Sequence, residues 1–493
     1  MFKRVLVANR GEIAVRIVRT CRDLGIAAVA VYEPGDMGAM HVRLADEAYP
    51  LSSNQSYRDP DEMVTVAKRT GVDAVHPGYG RISEHAGFAR ACEAAGITVV
   101  GPGSAVLERV LDKVGAIEQV RAAGIATIQP STRSFSPEET EALTAEAAAI
   151  GYPLLVKACS GGRGRGTHLV RAPAHLIDTV RRSSSAAQVV YGDNRVYLEA
   201  AILSSRYVEV PVLGDHHGNF ITMGDRDGSI QRNTRKVVEE APAPGLSQTV
   251  REALRQTALQ IARLFGVQGI STVEFVVDGE GKFCFTEIKP RVQVEHLATE
   301  MLTRIDVVRE QLYVAAGLPL SYTQDQVRIR GHAMFCRINA EDPWHDYLPS
   351  PGRITGFRLP GGPNVRVDTY VYAGAEVPIH YDSLLAKLVV WGATREECLN
   401  RFLRTLQEFQ ISGVKTNLGL LRLIVSDPEF IAGTYTAEFS QRHMLDGPPP
   451  RENLRDLAAV AALAFINRSQ SARPVTPTAF TSGWHRDSRR LPE

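Results

Sequence analysis

The chain has 493 residues, enough for about three domains with sizeable cores, and its 56 Lys and Arg against 55 Asp and Glu leave a net charge of +1. That balance supplies no drive toward nucleic acid or a membrane surface, and no apolar run approaches the ~20 residues of a spanning helix. Six scattered cysteines without C-x-x-C spacing argue against a zinc site and fit a reducing, cytoplasmic setting.

Met1-Phe2-Lys3-Arg4 runs straight into the strand Val5-Leu6-Val7-Ala8, so no signal peptide is expected. Strands at 3–8, 27–31, 73–75 and 97–101 alternate with helices at 11–24, 60–70 and 83–95, with Pro60 as an ordinary helix start. This pattern predicts a doubly wound α/β domain, and its first turn lacks the G-x-G-x-x-G of a dinucleotide site. A helical connection at about 113–127 leads into a lid-like segment ending near residue 200.

Within that segment, Tyr152 to Ala158 reads as a buried strand carrying Lys157 near its end. The glycine-rich run Cys159-Ser160-Gly161-Gly162-Arg163-Gly164-Arg165-Gly166 follows, then a second strand at Thr167 to Val170. A P-loop would place its lysine after the glycines and before a helix. The reversed order here predicts a hairpin lid over phosphates, against the plainer reading of a mobile surface loop. Lysine usage points the same way. Only nine lysines occur (Lys3, Lys68, Lys113, Lys157, Lys236, Lys282, Lys289, Lys387, Lys415), and a compact ammonium serves phosphate as a point charge where arginine is a planar fork.

From Tyr207-Val208-Glu209-Val210-Pro211-Val212 onward the chain is strand-rich. Ser271 to Val277 and Lys282 to Ile288 form a predicted hairpin around Asp278-Gly279-Glu280-Gly281. A two-residue loop would set Glu287 opposite Thr272, with Glu274 as its diagonal neighbour on the same face. Two carboxylates there repel unless a cation lies between them, and oxygen-rich ligands suit Mg²⁺ carrying nucleotide phosphates. The alternative is a pair of solvent-facing glutamates.

Beyond the hairpin, an extended Arg291-Val292-Gln293-Val294-Glu295 would direct Arg291, Gln293 and Glu295 to one face. A guanidinium and an amide suit a small planar oxyanion, and a carboxylate beside it suits a general base. The same alternation would also suit an edge strand with a solvated polar face.

Six segments taken together resemble biotin carboxylase, the ATP-grasp component of acetyl-CoA, propionyl-CoA and pyruvate carboxylases. They are Ala8-Asn9-Arg10-Gly11-Glu12-Ile13-Ala14, His76-Pro77-Gly78-Tyr79-Gly80, Asp112-Lys113, the run from Lys236 to Gly245, Gln293-Val294-Glu295-His296 and the run from Cys336 to Pro343. The resemblance extends to about residue 446. It implies an α/β ATP-grasp fold with a doubly wound N-terminal domain (1–112), a helical connection (113–127), a small lid domain (128–200) and a strand-rich catalytic domain (201–446), before a helix and flexible tail (447–493).

The resemblance also implies roles. Lys236, Arg291, Gln293 and the backbone of Val294 would hold bicarbonate, and Glu295 would take its proton. Glu274 and Glu287 would carry Mg²⁺ or Mn²⁺. Lys113, Lys157 and the glycines Gly161, Gly162, Gly164 and Gly166 would hold the phosphates of ATP. Glu199 and Ile202 would seat adenine, with Gln231 near the nucleotide. Arg337 would stabilise the enolate-like oxygen of biotin, with Tyr79 beside that pocket.

Departures cluster at the nucleotide. Ser160 and Arg163 interrupt a glycine run, and Arg232-Asn233-Thr234-Arg235-Lys236 replaces Arg-Arg-His-Gln-Lys. Tyr207 and Ala200 replace a histidine and a lysine, Arg81-Ile82-Ser83-Glu84-His85 replaces aromatic-Leu-Ser-Glu-Asn, and Lys289 takes the place of an asparagine. Lys289 can pair with Glu287 and compete with Mg²⁺, or add positive charge for the phosphates.

None of the eight methionines flanks a lysine, so the Met-Lys-Met biotin-attachment signature is missing. Biotin would therefore come from a separate carrier protein, in a complex with a carboxyltransferase subunit, and the family suggests a homodimer. Two other readings stand beside this one. The first is a ligase acting on a different nitrogen acceptor, toward which Arg81 and His85 point. The second is a catalytically impaired paralogue with a structural role, toward which Lys289 and the interrupted glycines point.

Overall fold

A computed structural model describes residues 1–52, 56–159, 168–232, 235–443 and 459–466. Met1–Leu445 form one compact unit, and residues 459–466 are helical within the second unit, Asp446–Glu493. Among the described residues no helix is long and apolar enough to cross a membrane.

The N-terminal layer is a parallel sheet of β1 (Arg4–Val7), β2 (Ala27–Tyr32), β3 (Glu47–Pro50), β4 (Ala74–His76) and β5 (Thr98–Val99), in the order β3-β2-β1-β4-β5. Continuous apolar strands such as Val5-Leu6-Val7 are buried on both faces, as helix-covered parallel sheets require. Helices at Gly11–Asp23, Pro60–Thr70 and Ala86–Ala94 fill the predicted places, although the third starts three residues later than expected, after a short 3₁₀ turn. The half-exposed edge strand β3 was not anticipated, because Glu-Ala-Tyr-Pro lacks an apolar signature.

Strand order reverses beside β1, so the carboxyl ends of β1 and β4 open a crevice, the usual ligand position in such sheets. Two of the sequence motifs meet there. Asn9 Nδ2 donates to the carbonyls of Pro77 (2.8 Å) and Tyr79 (2.7 Å), tying the 76–80 loop to β1. Gly78 has φ +61°, and a Cβ there would lie 3.0 Å from Asn9 Nδ2 and 3.1 Å from Ile13 Cγ1, so this turn requires glycine.

A helix at Lys113–Ala122 leads to the lid, in which β6 (Leu154–Ala158) pairs antiparallel with β7 (His168–Val170) and β8 (Val196–Ala200). Leu154, Val156, Val180 and Leu198 give the lid its own small core. The hairpin order of strand, glycine run and strand is observed, while residues 160–167 themselves lie outside the described residues.

The remaining chain is built around an antiparallel sheet with nine strands among the described residues. It includes β9 (Arg206–Gly214), β10 (Phe220–Thr222), β11 (Arg226–Arg232), β12 (Arg235–Ala241), β13 (Gly269–Val277), β14 (Phe283–Lys289) and β15 (His332–Asn339). Strands Leu384–Gly392 and Val365–Thr369 continue it beyond β15. Val208, Val210, Val273, Phe275 and Val277 pack on the Gln248–Phe265 helix. Alternation along the strands then turns Glu209 and Glu274 to the opposite face, toward the N-terminal layer and lid.

Candidate active site

A cavity of about 350 Å³ lies on that face, lined by residues from all three parts of the compact unit. Its floor is a row of charges set by strand register. Arg226 on β11 stands opposite Glu209 on β9, Glu209 opposite Glu274 on β13, and Glu274 opposite Glu287 on β14. This corrects the expected pairing, because Lys289 rather than Glu287 lies opposite Thr272. The turn is longer than two residues, with the backbone N–H groups of Glu280 and Lys282 donating to Asp278 Oδ1, and the register shifts again beside Glu274. The two carboxylates are therefore a direct cross-strand pair.

Like charges facing each other across a sheet are destabilising, so the row demands cations. Arg226, only 2 % exposed, places Nη2 2.9 Å from Glu209 Oε2 and also donates to Gln293 Oε1. Lys236 Nζ contacts Glu209 and lies 3.3 Å from Glu274 Oε1, 3.1 Å from Glu295 Oε1 and 3.9 Å from Glu239. Lys289 Nζ lies 2.6 Å from Glu287 Oε1, and Lys113 Nζ 3.8 Å from Glu287 Oε2.

Residues 291–295 form a turn leading into the His296–Thr303 helix, not the extended segment expected. Burying Val292 in the core still leaves Arg291, Gln293, Val294 and Glu295 on the cavity wall. Gln293 Nε2 donates to Glu209 Oε1 and Glu274 Oε1, both at 3.2 Å. Arg291 Nε donates to Glu84 Oε1 at 2.8 Å. Arg337, facing in from β15, places Nη2 2.9 Å from Glu295 Oε2.

Burial works against ionising Glu295, yet Lys236, Arg337 and Arg226 hold its pKa well below the usual carboxylate range. Glu239 goes the other way: burial and the adjacent Glu295 charge push it up to about 8. Both of its carboxyl oxygens are buried without a hydrogen-bond partner among the described residues. Burial and neighbouring charge thus drive two adjacent carboxyls in opposite directions, Glu295 down and Glu239 up.

At the lid side, Lys157 Nζ lies 2.7 Å from Glu199 Oε1, and this partner keeps the lysine charged despite its burial. Lys113, Lys157, Tyr207 and Gln231 line the cavity, with Gln231 Nε2 held by the Gly228 carbonyl at 2.8 Å. Glu199 is fully buried behind Lys157, whereas Ile202 stands 37 % exposed beyond β8. Gly161, Gly162, Gly164 and Gly166, with Ser160, Arg163, Asn233 and Thr234, lie outside the described residues. At the other end Tyr79 OH donates to Glu12, whose Oε1 lies 3.2 Å from Nζ of the fully buried Lys387. Cys159 is half-buried, with its thiol pushed up to about 11 chiefly by desolvation, so it is not a reactive thiolate.

Several of these residues were missed from the sequence: Glu12, Glu84, Glu209, Arg226, Glu239 and Lys387. Glu209 left a signal, as a lone charge in an apolar strand, and so did the adjacent pair Glu239-Glu240. Lys387 left the same signal as Glu209, standing between Ala386 and Leu388, whereas Arg226 left none.

A doubly wound layer, a small lid and a large antiparallel sheet enclosing a lysine- and glutamate-lined cavity define an ATP-grasp ligase of the carboxylase type. The chain matches the biotin carboxylase N-terminal domain over residues 1–107, the carbamoyl-phosphate synthase L chain ATP-binding domain over 112–323 and the biotin carboxylase C-terminal domain over 335–442. It is 43 % identical to a biotin carboxylase of Nostoc over 89 % of this chain and 99 % of that protein. It is 42 % identical to a biotin carboxylase of Haemophilus influenzae, over 90 % of this chain and 99 % of that protein. A crystal structure of the biotin carboxylase domain dimer of Hydrogenobacter thermophilus 2-oxoglutarate carboxylase, with MgADP, ADP and bicarbonate, superposes with a TM-score of 0.87. The identity there is 40 %, covering 90 % of this chain and 98 % of that one. The chain belongs to the biotin carboxylase family.

Proposed function

We propose that this protein uses ATP and bicarbonate to carboxylate biotin presented by a separate carrier protein, as the biotin carboxylase subunit of an acyl-CoA or pyruvate carboxylase. The observation that carries this reading is the junction at Glu295, where one ionised carboxylate is gripped by Lys236 on one oxygen and Arg337 on the other. Bicarbonate is held by Lys236, Arg291, Gln293 and the backbone of Val294. Glu295 removes its proton as a bicarbonate oxygen attacks the γ-phosphate, and ADP leaves. The carboxyphosphate so formed yields CO₂ and phosphate, the phosphate takes the proton of the biotin ureido nitrogen, and that nitrogen attacks the CO₂ to form the N–carboxyl bond. Arg337 then faces the enolate-like oxygen of biotin, with Tyr79 beside it. Oriented donors in a closed, water-poor cavity are the main source of rate for such charge development.

Glu274 and Glu287 are the carboxylates that would hold Mg²⁺, and a bound Mg²⁺ would neutralise charge on the phosphates. Among the described residues the side-chain contacts of Glu274 fall on Oε1 alone, whereas both oxygens of Glu287 face ammonium groups. Lys113 and Lys157 bind the phosphates, and Glu199, Ile202 and Gln231 serve the base and sugar side. The working assembly is a homodimer with carrier and carboxyltransferase partners, in the cytoplasm.

The test is ATP cleavage by the purified protein with Mg²⁺, with and without bicarbonate and free biotin. Turnover that requires bicarbonate and rises with biotin supports the proposal. Turnover indifferent to biotin assigns another nitrogen acceptor, and absence of both turnover and nucleotide binding assigns a non-catalytic paralogue.

A further inference from the structure

Glu287 is the outermost carboxylate of the row and the one closest to the lysines of the lid side. It shares β14 with Lys289 two residues on, so both side chains leave the same face of the strand. Their ion pair follows from that spacing, with Lys289 Nζ 2.6 Å from Glu287 Oε1, while Lys113 stands 3.8 Å from Oε2. Each oxygen of Glu287 therefore already faces an ammonium. Lys289 is only 6 % exposed and lines the cavity, so its charge is enclosed with the site rather than spread into solvent.

A divalent ion such as Mg²⁺ sits about 2.0–2.1 Å from a carboxylate oxygen. An ammonium 2.6 Å from that oxygen occupies the same ligand direction and repels a second cation beside it. Glu274 differs. Among the described residues its side-chain contacts, from Lys236 at 3.3 Å and Gln293 at 3.2 Å, fall on Oε1, which keeps Oε2 for a metal.

We propose that Lys289 stands in for one divalent cation. Its tethered ammonium supplies the positive charge that would otherwise bridge Glu287 to the triphosphate, and nucleotide binds with one metal ion fewer than the same site holds when residue 289 is neutral. Nucleotide affinity then depends less steeply on free Mg²⁺, because part of the counter-charge is covalently present. This inference rests on the reading of the cavity as an ATP site.

The experiment counts metal directly. Mn²⁺ bound per chain is measured by electron paramagnetic resonance at saturating ADP, and again with a non-hydrolysable ATP analogue. The samples are the full-length protein, Lys289→Asn and Lys289→Gln, the last retaining most of the side-chain volume in case the first fails to fold. The expected result is about one Mn²⁺ fewer per nucleotide in the unsubstituted protein than in either variant, with a correspondingly shallower rise of ADP affinity with Mg²⁺. A merely structural Lys289 would leave the count unchanged, and equal counts in all three proteins overturn the inference while leaving the proposed function standing. Failure of the unsubstituted protein to bind nucleotide at any Mn²⁺ concentration overturns both.

Discussion

Arg337 Nη2 lies 2.9 Å from Glu295 Oε2, joining the end of β15 to the turn after β14 across 42 residues of sequence. With Lys236 Nζ 3.1 Å from the other oxygen, the carboxylate is clamped between two cations before any substrate arrives. Such a clamp favours the ionised form of Glu295 and fixes its direction, as the proposed role of general base requires, and it sets Arg337 directly beside it.

Glu295→Gln keeps the shape of that clamp but removes the proposed base. Bicarbonate-dependent ATP cleavage is expected to fall by about 10²–10⁴-fold, while ADP affinity stays within about threefold, since Glu295 faces Lys236 and Arg337 rather than Lys113 and Lys157. Steady-state phosphate release and calorimetric ADP titration check both halves.

Arg226→Met leaves Glu209 buried without its guanidinium and leaves Gln293 without an orienting donor. Removing one partner of a buried ion pair costs about 3–5 kcal/mol, so the urea midpoint should drop sharply. Whatever folded protein remains should show a raised KM for bicarbonate more than for ATP. An unchanged urea midpoint would refute the assigned role.

Glu239 provides a pH signature. Its folded pKa of about 8 lies above the 4.5 of an unperturbed glutamate. Between those values the folded state binds more protons than the unfolded state, so this group lowers stability as pH rises through that window. Glu239→Gln removes the penalty. Its unfolding free energy should exceed that of the unsubstituted protein at pH 8.5, by about 5 kcal/mol at most, with a correspondingly higher Tm, and converge with it toward pH 4.5. Thermal unfolding of both proteins across that range checks the sign.

Asn9→Ala deletes both bonds that tie the 76–80 loop to the crevice. Leaving the Pro77 and Tyr79 carbonyls unpaired is expected to cost about 1–3 kcal/mol. It should also loosen Tyr79, raising the KM for free biotin while ADP affinity is kept. Equal KM values for biotin would show that the loop is held by other means.

The alternation of apolar strands and helices to about residue 100, the lysine-then-glycine order of the lid and the carboxylates of the 271–288 hairpin were legible because each depends on neighbours a few residues apart. Period and turn chemistry are local properties, and the motifs that carry the family resemblance are short contiguous strings. Even the Glu287–Lys289 ion pair was readable, since residues two apart on a strand must share a face. What depended on distant strands was not. The facing of Glu274 and Glu287 was decided by the turn length and the register shift, which no alternation pattern records. The charge row from Arg226 to Glu287 crosses four strands, and its members became neighbours only through sheet order. Burial and partners divided the carboxylates further, lowering the pKa of Glu295 between two cations and raising that of Glu239 beside it, although their intrinsic chemistry is the same. Sequence alone therefore determined which charged groups this protein owns and which segments carry them. The tertiary structure decided which charges face each other and how much water they keep, because pairing and desolvation act through space and not along the chain.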